Sequence, residues 1–87
     1  MKFKFAGTQK IDDSGKGSFM YKGVDLMEYQ YQWKDIDDEY TRLKMKIGEE
    51  STVFKPYVYQ LTVDNKVLIF ASGEITNGIW GFALPEE

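Results

Sequence analysis

An all-β fold, a small antiparallel meander of six or seven strands closing into a barrel or sandwich, is what this 87-residue sequence predicts. Three observations carry that prediction. Apolar and polar residues alternate with period two through much of the chain, the pattern of half-buried strands. Turn-forming residues recur between the alternating runs, at 12–17, at Asp64 and Asn65, and at Asn77 and Gly78. Six Phe, six Tyr and two Trp supply a bulky core. A domain of this size needs one, because folding hides only about 60% of the surface its unfolded chain exposes.

Phe3 and Phe5 on one face, with Lys2 and Lys4 on the other, mark a first strand. Asp12, Asp13, Ser14, Gly15, Lys16 and Gly17 read as a loop, since Gly frees the backbone and Asp and Ser bond back to it. A short strand follows over 19–21. From Val24 to Trp33 the alternation is at its clearest, with Met27, Tyr29, Tyr31 and Trp33 opposing Glu28, Gln30, Gln32 and Lys34, and this predicts a long strand. Residues 35–39 form the turn after it. A strand over 40–47 then sets Thr41, Leu43, Met45 and Ile47 against Tyr40, Arg42, Lys44 and Lys46. The alternative is an α+β fold with a helix near 35–47, because Ile36, Tyr40, Leu43 and Ile47 also fall at helical spacing. Unbroken alternation and β-branched Thr41 and Ile47 favour the strand. Gly48 closes either element.

Asp64 and Asn65 tolerate the positive φ of a tight turn, so 57–63 and 66–72 are read as a hairpin. Val67 to Ala71 is apolar on both faces and belongs to a central, covered strand. Pro56 marks an edge or a strand start. Asn77 and Gly78 predict a second hairpin, with Trp80 and Phe82 on one face of the last strand. Residues 1–87 form a single domain, with 85–87 as a frayed acidic tail.

The composition excludes most chemistry. With no Cys there is no disulfide, thiolate nucleophile or zinc-finger ligand set, and with no His the side chain that titrates near neutrality is missing. The chain is read as no enzyme, without cofactor or metal. No apolar run approaches the roughly 20 residues that span a bilayer, and no signal-peptide core follows the first residues. No Asn-x-Ser/Thr acceptor is present. The expectation is a cytoplasmic protein with no membrane partner.

Net charge is -3 with a pI of about 4.9, which disfavours a duplex-DNA binder. Its distribution is banded. Residues 1–24 carry five Lys against two Asp, whereas residues 25–40 carry one Lys against six acids. One basic and one acidic surface follow if the fold keeps these blocks apart.

The acidic cluster Asp35, Asp37, Asp38 and Glu39 lacks the spacing of an EF-hand loop, which needs a Gly at its sixth position and a Glu at its twelfth. Gly15, Lys16, Gly17 and Ser18 likewise depart from a phosphate loop, because Gly17 interrupts Lys-Ser and a strand follows. Trp33 beside the four acids resembles an aromatic anchor with a charged rim, the usual division in protein interfaces. The sequence therefore predicts a non-enzymatic binding module, an inhibitor or regulator. It would occupy a basic protein surface through Trp33, Asp35, Asp37, Asp38 and Glu39. The alternative is a single-stranded nucleic-acid (RNA) binder using Lys2, Lys4, Tyr40, Arg42, Lys44 and Lys46, since basic tracks with aromatic platforms bind single strands. Register opposes it, because only Tyr40 shares a face with Arg42, Lys44 and Lys46. Open strand edges leave room for a homodimer.

Overall fold

The computed structural model describes residues 2–12, 15–47, 50–76 and 78–86. In chain order it contains β1 (Phe3–Asp12), β2 (Gly15–Lys16), β3 (Met20–Tyr21), β4 (Val24–Asp25), a 3-10 helix (Leu26–Gln32), β5 (Lys34–Asp37), β6 (Leu43–Ile47), β7 (Glu50–Phe54), β8 (Tyr57–Val63), β9 (Lys66–Thr76) and β10 (Ile79–Pro85). The fold is all-β and antiparallel, as expected. Six strands form one sheet in the order β2-β1-β10-β9-β8-β5, while β3–β4 and β6–β7 are separate two-stranded ribbons. No strand pairing joins β5 to β1 or β2, so among the described residues the sheet is open and no barrel closes.

Local turn chemistry explains the meander. Asp64 and Asn65 have φ of 49° and 66°, the left-handed pair that lets a two-residue turn match the twist of its strands, and β8 pairs with β9 in full register from Val63 opposite Lys66 to Tyr57 opposite Ser72. Lys22 and Gly23, at φ 52° and 81°, make the same turn between β3 and β4. β9 lies between β8 and β10, the central place that its two-sided apolar sequence predicts. Its first residues remain outside the cover, with Val67 56% exposed. Asp13, Ser14, Gly48, Asn77 and Glu87, which enter the turn and tail predictions, lie outside the described residues.

The central strands of the sheet are buried on both faces. Leu61, Leu68, Phe70 and Phe82 project to one face and meet Phe19, Val24, Leu26 and Met27 from the β3–β4 ribbon and the helix. Phe3, Val58, Ala71 and Ala83 project to the other and meet Phe54 of the β6–β7 ribbon. Phe3 and Phe5 share this second face, and Trp80 and Phe82 share the first, as alternation predicts. Two sheet glycines make room for the crossing chain: a Cβ on Gly81 would lie 3.0 Å from the Phe54 ring, and one on Gly73 would lie 3.1 Å from the Pro56 Cα.

Three expectations are corrected. Residues 26–32 are not a strand but two 3-10 turns joined across a kink at Tyr29 (φ -108°, ψ 20°). The reason is the Asp25 carboxylate, which accepts the Met27 amide at 3.1 Å and caps the helix. Burial then follows a period near three, so Leu26 and Met27 are fully buried while Tyr31 is 89% exposed. Second, Lys34 to Asp37 is a strand rather than part of a turn, paired with β8 from Lys34 opposite Gln60 to Asp37 opposite Val58. Third, the next strand starts at Leu43 instead of Tyr40, and Thr41 is held by its amide donating to the Pro56 carbonyl at 2.8 Å. The alternative helix over 35–47 does not form. At the end of β10, Pro85 stands opposite Phe3, and the Glu86 amide donates to the Lys2 carbonyl at 2.8 Å.

The Ser72 hydroxyl is wholly buried and has no hydrogen-bond partner among the described residues. Leaving such a group unpaired costs about 1–3 kcal/mol. Ser72→Ala is therefore expected to raise the urea midpoint, by an amount equivalent to about 1 kcal/mol. A lower midpoint would mean that the hydroxyl has a partner in solution.

Candidate functional site

β5 and the turn after it carry the acidic cluster. All four residues of β5 are exposed, as are Asp38 and Glu39. The carboxylates also shape the backbone: Asp35 Oδ1 accepts the Asp37 amide and Asp37 Oδ1 accepts the Glu39 amide, each at 3.1 Å. These are Asx turns, in which a side chain imitates a backbone acceptor two residues earlier. Among the described residues no group of three or more acids converges closely enough to hold a metal ion.

β5 is an outer strand of the sheet, bonded to β8 on one side only. β1, with exposed Lys2 and Lys4 at its start, lies toward the opposite edge. Strand order places β1 and β5 apart, while Lys22, Asp25 and Glu28 of the same charge bands lie outside this sheet.

Trp33 takes a different place from an exposed anchor. It is half-buried, and its Nε1 donates to the Leu26 carbonyl at 3.0 Å. Its ring meets Phe70 and Phe82 edge-on at 4.8 Å and 5.9 Å and tilts against Tyr59 at 5.5 Å. The indole thus closes the first core next to β5, while its rim borders a cleft with Gln32, Lys34 and Gln60. Tyr59, beneath it, has its phenol raised above the ordinary tyrosine range by burial, with the charge of Asp35 adding to the effect.

The alternative residues are divided. Tyr40 is 42% exposed and lines a cleft with Asp38, Glu39, Arg42 and Tyr57. The Arg42 guanidinium stands 5.9 Å and the Lys55 ammonium 5.1 Å from the centre of its ring. A hydrogen bond from Arg42, then the charges of Lys55 and Arg42, lower its phenol below the ordinary range. The ring thus has two of the chain's own cations beside it while staying exposed at the surface. Lys44 is exposed on β6, the Lys46 side chain lies outside what is described, and Lys2 and Lys4 stand on β1 apart from this cleft.

Sequence reasoning missed two participants. Lys55 joins Tyr40 from the β7–β8 connection, which no local pattern signals. Ile36 is the other, 49% exposed in the middle of the acidic run. Comparison with protein-family models, with curated proteins and with solved structures finds no match to this chain.

Proposed function

We propose that this chain is a non-enzymatic binding module, an inhibitor or regulator that occupies a basic surface of a protein partner through β5 and the turn that follows it. The observation that carries this reading is the run of exposed carboxylates Asp35, Asp37, Asp38 and Glu39 along an open sheet edge. Like charges held side by side speed association with a surface of opposite sign and repel the wrong ones. Trp33 packs beside the strand against the first core, half-buried, with its Nε1 held by the Leu26 carbonyl.

The test neutralises the charge without disturbing the turns. Asn keeps the Oδ1 acceptor that Asp35 and Asp37 supply to the backbone, so Asp35→Asn, Asp37→Asn, Asp38→Asn and Glu39→Gln together leave the Asx geometry in place. Exposed ion pairs contribute about 0.2–1 kcal/mol each. The quadruple variant is expected to bind its partner roughly tenfold or more weakly at low salt, and to lose most of its salt dependence. Capture of the partner from lysate, with and without nuclease, followed by titration over a salt series, measures this. Unchanged affinity at every salt concentration would overturn the reading. Binding that vanishes with nuclease would move it to nucleic acid.

A further inference from the structure

A regular strand sends neighbouring side chains to opposite faces, yet Ile36 and Asp37 line the same groove. The cause is a β-bulge. Asp35 stands opposite Tyr59 and Asp37 opposite Val58, so Ile36 is the extra residue, and bulges re-aim side chains in this way. The groove has a volume of about 240 Å³ and is lined by Phe3, Ile36, Asp37, Thr41, Val58 and Ile69. Its floor belongs to the second core, where Phe3 and Val58 are buried and Ile69 is half-buried. It is smaller than the roughly 300–1,000 Å³ typical of small-molecule sites, and its size suits a single side chain.

We propose that this groove receives one aliphatic side chain of the protein partner, flanked in the partner's sequence by Lys or Arg. The inference rests on the acidic reading of β5 and adds an apolar anchor beside the half-buried Trp33. Charge complementarity selects the occupant: Asp37 forms part of the wall, and Asp35, Asp38 and Glu39 stand along the same strand and turn. An apolar insertion meeting Ile36 and Ile69, with cations on its flanks, satisfies both parts of the site, the division seen between interface core and rim.

Two synthetic peptides test it, Lys-Arg-Lys-Leu-Lys-Arg-Lys and the same peptide with Ser at the centre, titrated into protein labelled at its isoleucine methyl groups and followed by NMR. The Leu peptide is expected to bind roughly tenfold more tightly than the Ser peptide and to shift the Ile36 and Ile69 methyl signals. Ile36→Asn, at a half-exposed bulge position, is expected to keep the fold by thermal melting and to bring the two affinities together while both stay salt-dependent. Ile36→Leu should restore the preference. Equal affinities in the wild type, or a preference that survives Ile36→Asn, would overturn the groove alone. If neither peptide binds at low salt, the acidic reading falls with it. Dimerisation without peptide that Ile36→Asn abolishes would assign the groove to a second copy and overturn the proposal.

Discussion

Replacing Trp33 with alanine is expected to destabilise this protein strongly rather than selectively weaken its binding. Truncating a fully buried large aromatic costs about 3–5 kcal/mol and a half-buried one such as Trp33 less, and the variant also leaves the Leu26 carbonyl without the 3.0 Å donor that now satisfies it, which adds about 1–3 kcal/mol. A domain of 87 residues has roughly 4–13 kcal/mol of total stability, so the loss consumes a third or more of it. The Trp33 ring touches Tyr59, Phe70 and Phe82, and its removal opens a void between the helix and the sheet. Urea denaturation followed by far-ultraviolet circular dichroism measures the shift. A midpoint equal to that of the wild type, with lost binding, would restore Trp33 as an interface anchor.

Asp25→Ala has the next largest expected effect, about 2–3 kcal/mol. One carboxylate here holds two segments: Oδ1 accepts the amides of Met27 and Phe19, and Oδ2 accepts the Ser18 hydroxyl, each at 3.1 Å. Losing a helix cap costs about 0.5–2 kcal/mol, and a part-buried amide left without an acceptor adds about 1–3 kcal/mol. Asp25→Asn retains Oδ1 and should recover most of the loss. Hydrogen exchange gives the local signature, faster exchange at the Met27 and Phe19 amides in the alanine variant. An Asp25→Ala midpoint equal to that of the wild type would show that the cap adds nothing to stability.

The same residue explains where sequence reasoning went astray. Met27, Tyr29, Tyr31 and Trp33 alternate as a strand would, but Asp25 followed by Glu28 three positions later is also a helix-start signature. Once Asp25 caps Met27, the chain turns with a period near three, and the alternation becomes incidental. β5 was misread for another reason. A polar run such as Asp35 to Glu39 looks alike in a turn and on an outer strand, and only its ladder to β8 separates the two. Within the candidate site, the acids and their exposure were legible in the sequence. Ile36 was not, because its exposure and direction come from a bulge that depends on the register between β5 and β8.

What the sequence determined alone is what short-range physics controls. Alternation set the first and last strands and their faces, Asp64 and Asn65 set the β8–β9 hairpin, and two-sided apolarity placed β9 at the centre. The missing His and Cys removed imidazole and thiolate chemistry before any fold was known. The tertiary structure decided that the sheet stays open, that the β6–β7 ribbon covers one face and the helix the other, and that Trp33 turns inward while the acids line an outer edge. Those outcomes depend on burial between distant segments. The space that Gly73 and Gly81 leave has meaning only once residues 54–56 cross it, and contacts of that range leave no periodic trace along the chain.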